Sequence, residues 1–333
     1  LSAAVCGDIF ASPSTKQILN AIELLNDNSA GILLLVKNYT GDVLHFGLSA
    51  ERARALGIDC QVVVVGDDVA VGREKGGMVG RRALAGIVLV HKITGAFAEL
   101  YSEKYGLEGT ATAARIVNDS LVTIGASLDH CKVPGRPFET ELNDHQMELG
   151  MGIHNEPGVN VLDPIPSTEE LIEKHMLPKL LDSSDKDRAF VPFNKDDDVV
   201  LLVNNLGSIS NFIMTSIAAI TTDLLKEKYN IVPKKTIVGT VMTAFNGNGF
   251  SLTLLNASKC STELHSKFTE IENVIDLVNT PTDAPGWPIG EFNSKAAPNV
   301  NHKILSNETK VKAVGKYDFD TVSKWMKAGA EQI

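Results

Sequence analysis

An α/β protein is predicted, built as two consecutive domains with mixed, mostly parallel sheets flanked by helices. Three observations predict it. Two short runs, the wholly apolar Ile32–Val36 and the valine-rich Cys60–Val65, have the length and β-branched content of strands buried on both faces. Segments with apolar residues at helical spacing surround them. After a break rich in proline and glycine the alternation starts again.

The elements follow in order. Ile18, Leu19, Ile22 and Leu25 mark a helix over 14–28, with Ser12 and Ser14 as caps and Pro13 at the start. A strand over 31–36 and a helix over 48–56 lead to a strand over 60–65, which ends in Gly66-Asp67-Asp68. Helices are predicted over 78–85, 93–105 and 108–127, with 86–90 a strand or a helical core piece. Cys131-Lys132-Val133-Pro134-Gly135-Arg136-Pro137 is the best boundary, dividing a first domain, 1–133, from a second, 134–300. In the second, a strand over 198–205, a helix over 209–228 and strands over 236–242 and 250–255 are predicted. Asn246-Gly247-Asn248-Gly249 between the last two is a hairpin signal. The stretch 279–300 is rich in Pro, Asn and Ser and reads as loop. Residues 301–333 read as a linker and a helix over 318–332 with no stop signal.

Composition narrows the function. Of 333 residues, 44% are apolar and 22% charged, the balance of a soluble globular chain. A net charge of −10 disfavours nucleic acid as a partner, because an acidic surface repels phosphate. No apolar run approaches the roughly 20 residues a membrane helix needs, and the first residues lack the pattern of a secretory signal. Cys6, Cys60, Cys131 and Cys260 show no metal-ligand spacing and read as reduced thiols of a cytoplasmic protein.

Four stretches could carry chemistry. Lys37-Asn38-Tyr39-Thr40-Gly41-Asp42 follows directly on the first strand, and ligands of open α/β sheets bind beyond strand carboxyl ends. Gly41 permits a tight turn there, and Asp42 offers a carboxylate able to take a proton from a hydroxyl; the plainer alternative is that Asp42 caps the next segment. His154, framed by Gly150, Gly152 and the Pro157-Gly158 turn, sits on a loop where its imidazole is open to a ligand and can attack a carbonyl; a structural turn with an incidental histidine is the alternative. Asp67-Asp68 suits a helix start better than a metal. The glycines of 72–82 lack the spacing of a phosphate loop, so no nucleotide-binding motif is present.

These segments converge on one family. Lys37–Asp42, Gly66-Asp67-Asp68-Val69-Ala70, Gly80-Arg81-Arg82, Gly152–Gly158, Val203-Asn204-Asn205-Leu206-Gly207 and Gly249–Leu255, in that order, resemble the dihydroxyacetone kinases, most closely the single-chain ATP-dependent enzymes of yeasts. The resemblance implies that His154 holds the substrate carbonyl as a hemiaminal. It implies that Asp42 activates the hydroxyl to be phosphorylated, and that Lys37 lies beside the substrate. It also implies ATP and Mg2+ as cofactors, held by a C-terminal domain of the same parent chain beyond Ile333, and a possible homodimer. The family carries a glycine-rich segment with a further substrate-contacting histidine, expected upstream of Leu1. The reading is therefore the substrate-binding part of a kinase acting on dihydroxyacetone, and on glyceraldehyde, with the chain inactive by itself. The alternative is a non-catalytic triose-binding module acting through a partner protein; a flavin-nucleotide cyclase side activity is known among animal relatives.

Overall fold

The computed structural model describes residues 2–27, 30–135 and 142–288. Arg136 and Pro137 of the predicted boundary, the predicted linker and helix of 301–333, and most of the 279–300 stretch lie outside them.

The chain opens with α1 (Thr15–Leu25), β1 (Ile32–Lys37), α2 (Thr40–Ala55) and β2 (Cys60–Val65). α1 starts where the sequence says. Ser14 Oγ accepts from the Gln17 amide at 3.3 Å while Gln17 Oε1 accepts from the Ser14 amide at 2.9 Å, a reciprocal cap. β1 and β2 pair in parallel, Ile32 opposite Cys60 through Lys37 opposite Val65. α1 and α2 pack on one side, burying Ile18, Ile22, Ala50, Ala53 and Cys60.

After a single turn, α3 (Arg73–Gly76), comes α4 (Gly86–Asn118), one long helix kinked at Gly106, whose φ of 61° only glycine adopts freely. It absorbs the predicted pieces at 86–90 and 93–105. Residues 78–85 are not helical: Arg81 and Arg82 there reach backbone carbonyls of Leu121 and Gly150. The predicted helix over 108–127 is half strand, since β3 (Leu121–Ser127) replaces its second part. All seven residues of β3 are buried, which an amphipathic helix would not permit.

β3 lies inside a six-stranded sheet with β4 (Met147–Leu149), β5 (Asn160–Leu162), β6 (Val199–Asn205), β7 (Lys235–Gly239) and β8 (Gly249–Asn256), in the order β5-β4-β3-β8-β6-β7. The sheet is mixed and flanked by helices, as predicted, but only β6–β7 is parallel within it. It draws on strands from both sides of position 134. The hairpin expected at 246–249 is absent: β7 and β8 are not neighbours, because β6 lies between them. The Gly247 turn instead bridges to Gly207.

Between β5 and β6 the chain forms α5 (Thr168–Glu170) and α6 (Leu177–Leu181), joined by a π-helical turn over Leu171–Met176. α7 (Asn211–Tyr229) is capped by Ser210 and ends on Asn230 in the left-handed conformation. α8 (Ala257–Lys267) and α9 (Val274–Asn279) close the described chain. α4, α8 and α9 cover one face of the sheet, with Phe97, Leu255 and Leu264 in the seam; α6 and α7 cover the other over Ile124, Leu201 and Leu252. No helix among the described residues is long and apolar enough to cross a membrane.

Candidate active site

Two adjacent aspartates join the small sheet to the large one. Asp67 accepts from the Leu84 amide at 2.6 Å, from the Gly86 amide at 2.8 Å and from Thr123 Oγ1, so it caps the start of α4. Asp68 accepts from the Ala70 amide and pairs with Arg82 at 2.8 Å. Burial pushes the Asp68 carboxyl up to about 6, against the Arg82 charge that pulls it down. Both carboxylates are spent on the fold, but no helix starts directly after them: Asp67 serves the distant start of α4, and Asp68 a turn and Arg82.

That junction brings the end of β1 beside the loop between β4 and β5. Lys37 is the last residue of β1, and its ammonium has a thioether, Met242 Sδ at 3.5 Å, as hydrogen-bond partner. Burial pushes this ammonium below the usual lysine range, while the carboxylates of Asp67, Asp42 and Glu156 pull the other way. A cation held so weakly by the protein has donors left for an oxygen-rich ligand. His91 on α4, which burial brings down to about 4, stands near enough to be repelled by Lys37.

Gly41 and Asp42 do not form a loop turn. They sit in the first turn of α2, which begins eight residues before the predicted start. Gly41 is needed for close packing: a Cβ there would stand 2.5 Å from Ser12 Oγ. Asp42 is half-buried at the helix N-terminus, where the unpaired amides favour a negative charge.

His154 lies on the 150–158 loop with its side chain 31% exposed. Its ring meets Tyr39 at 4.8 Å and Phe10 at 4.9 Å, both edge-to-face. Lys37 Nζ lies 5.5 Å from the centre of the same Tyr39 ring. Tyr39 thus stands between the two predicted site residues, anchored by its hydroxyl, which donates to the Ala83 carbonyl at 3.0 Å. Glu156 accepts from the His154 amide at 2.9 Å through Oε2 and meets Nδ1 at 2.8 Å through Oε1. Beneath the loop lies a small apolar cluster of Leu84, Cys131, Ile153, Leu206 and Ala244.

The structure therefore brings Lys37, Asp42 and His154 into one neighbourhood. Sequence reasoning missed Tyr39 and Glu156, although both stood within quoted motifs, one residue between Lys37 and Asp42 and one two places after His154. Phe10 and Met242 carried no local signal, since only the fold delivers them. Seats for Mg2+ or phosphate do not fit the described residues. No group of three or more His, Cys, Asp or Glu side chains is placed to hold a metal among them. The glycine-rich 72–82 stretch has its leading amides occupied, Arg73 N by the Asp187 carbonyl and Glu74 N by Asp187 Oδ1.

An α/β protein with its polar constellation gathered where strands end and helices begin is the class that fold and site define. The chain belongs to the Dak1 domain family, whose model matches residues 1–285. It is 72% identical to dihydroxyacetone kinase 1 of Saccharomyces cerevisiae over 100% of this chain and 57% of the relative. It is 46% identical to dihydroxyacetone kinase 2 of the same yeast, covering 55% of it. The chain thus spans little more than half the length of these relatives. Among solved structures, the dihydroxyacetone kinase of C. freundii in complex with AMP-PNP and Mg2+ superposes with a TM-score of 0.64 at 33% identity, over 81% of this chain and 46% of that one. A dihydroxyacetone kinase operon co-activator, Dha-DhaQ, superposes with a TM-score of 0.68 at 27% identity, over 84% and 78%.

Proposed function

We propose that this chain is the substrate-binding part of an enzyme that transfers phosphate from ATP to dihydroxyacetone, with glyceraldehyde as a second substrate. The observation that carries the reading is the arrangement around Tyr39: an imidazole on one side, an under-partnered ammonium on the other, and the Asp42 carboxylate at a helix N-terminus close by. In this reading His154 adds to the substrate carbonyl, and Asp42 receives the proton of the hydroxyl that attacks the phosphate. Lys37 donates to substrate oxygen. A covalent handle of this kind rejects glycerol, which has no carbonyl, by chemistry more than by size.

ATP and Mg2+ are assigned to a separate domain of the parent chain, reached through 301–333, as the family resemblance implies. The kinase relatives and the relative bound to AMP-PNP and Mg2+ support use of both. The fold is shared with a co-activator, so fold alone does not select catalysis; the Lys37, Asp42 and His154 neighbourhood favours it.

The test is 13C NMR of this chain with dihydroxyacetone labelled at its carbonyl carbon. The expected result is transfer of that resonance from the carbonyl to the sp3 region, lost in His154→Ala. A resonance that stays in the carbonyl region in the wild-type protein overturns the covalent reading. Phosphorylation is expected only when an ATP-binding domain is supplied, and robust turnover by the chain alone would overturn the division of labour.

A further inference from the structure

A histidine can attack a carbonyl only through a nitrogen that carries a lone pair, and a neutral imidazole has one such nitrogen at a time. Which nitrogen it is depends on what the other one touches. In this loop Nδ1 faces Glu156 Oε1 at 2.8 Å, and the second oxygen of the same carboxylate takes the His154 amide at 2.9 Å. No partner of Nε2 is found among the described residues.

We propose that Glu156 is the positioning residue of the covalent step: it keeps the proton on Nδ1 of His154 and so presents Nε2, lone pair free, to the carbonyl carbon of the substrate. The inference rests on the covalent reading above and names the group that makes it work.

Three further observations converge on it. Burial opposes ionisation of Glu156, but the bonds from the His154 ring and amide outweigh it and bring the carboxyl down to about 2. An ionised carboxylate only accepts, so Nδ1 must donate. Space for that carboxylate is made by Gly152: a Cβ there would fall inside contact of Glu156 Oε2 and stand 2.8 Å from Arg82 Nη1. The turn is also pinned from outside. Asn155, in the left-handed conformation with φ 64°, accepts from the Cys131 amide at 2.9 Å and donates to the Cys131 carbonyl at 3.1 Å. With Tyr39 and Phe10 on the ring, the imidazole is fixed in tilt by its neighbours and in tautomer by Glu156.

The step balances as addition of Nε2 to C=O with uptake of one proton. The Nε2–carbon bond forms and the carbonyl π pair moves to oxygen, which takes a proton from solvent. The imidazolium created keeps its Nδ1 proton, hydrogen-bonded to the ionised Glu156, so the hemiaminal is held as an ion pair. No oxidant or reductant is involved.

The test measures orientation and capture separately, on Glu156→Gln and Glu156→Asp beside the wild type. Two-bond 1H–15N spectra of the 15N-histidine-labelled chain, without substrate, report the His154 tautomer. The carbonyl-labelled dihydroxyacetone experiment reports the adduct, and thermal unfolding reports the fold. The expected result is an Nδ1–H tautomer in the wild type. In Glu156→Gln, whose amide can donate to Nδ1, the adduct constant should fall on the order of 10- to 100-fold with the fold retained, and Glu156→Asp should restore part of it. An Nε2–H tautomer in the wild type, or a Gln variant that captures substrate as well as wild type, overturns the proposal. A firm Nδ1–H tautomer without any wild-type adduct would overturn the covalent reading and the role built on it, while the orienting contact itself would be seen.

Discussion

Tyr39 and His154 meet at 4.8 Å with their ring planes at 80°, and this contact couples the end of β1 to the loop between β4 and β5. Tyr39 is two residues past the strand that ends at Lys37 and three before Asp42, so the edge-to-face packing sets where the imidazole stands relative to both.

Separating the ring from its hydroxyl tests that role. Tyr39→Phe keeps the ring against His154 and loses the bond to the Ala83 carbonyl, which should cost about 1 kcal/mol of stability and leave substrate capture near wild type. Tyr39→Ala removes the wall as well, and the affinity for dihydroxyacetone should fall about tenfold or more, the loss expected when a reacting group is freed from its pose. Titration calorimetry on both variants checks it. Equal affinities would mean that Phe10 alone holds the ring.

The glycines of the His154 loop are predicted to fail in two different ways. A methyl group at Gly152 would displace the Glu156 carboxylate, the end of a side chain that can swing aside. Gly152→Ala should therefore unfold near the wild-type temperature yet lose carbonyl capture. A methyl group at Gly158 would strike the Leu149 carbonyl of β4, which cannot move without breaking the sheet. Gly158→Ala should lower the melting temperature first. Thermal unfolding and the NMR adduct signal, measured on both, separate the two outcomes.

How much of this was legible in the sequence depended on whether the cause was local. Ser14 with Gln17 announced α1, and the apolar runs announced β1, β2 and β6. The Leu121–Ser127 segment was misassigned because its burial comes from β4 and β8, far along the chain. The hairpin at 246–249 failed for a similar reason: Asn204 donates to the Met242 carbonyl and accepts from the Val241 and Met242 amides, holding that loop over β6 instead of letting β7 fold onto β8. The site followed the same rule. Lys37, Asp42 and His154 stood in recognisable segments, but Phe10 and Met242 reach the site only through tertiary packing.

Acid should weaken the fold through Glu156. Its carboxyl, held down to about 2, is favoured in the folded state above the unfolded carboxylate range near 4.5. That contribution is present in full above roughly pH 4.5 and is lost as pH falls towards 2. The stability advantage of wild type over Glu156→Gln, measured by urea unfolding, should therefore shrink between pH 5 and pH 3. A constant difference across that window would mean the carboxylate contributes nothing as a charge.

The sharpest test of what holds the two sheets together is the Arg82–Asp68 pair. Asp68 is wholly buried and the Arg82 side chain 14% exposed, and Arg82 also donates to the Gly150 carbonyl at 2.7 Å, where the His154 loop begins. Removing one member of a buried pair strands the other, so Arg82→Met should cost about 3–5 kcal/mol. Asp68→Asn keeps an acceptor and should cost less. The sign with pH is opposite to that of Glu156. Burial raises Asp68 to about 6, so its proton is bound more tightly in the folded than in the unfolded state, and its contribution is full below about pH 4 and lost as pH rises through 6. Wild type should accordingly gain on Asp68→Asn as pH falls from 7 to 5 in urea unfolding. If Arg82→Met instead unfolded within 1 kcal/mol of wild type, the loop would owe its position to Asn155 and Cys131 rather than to Arg82.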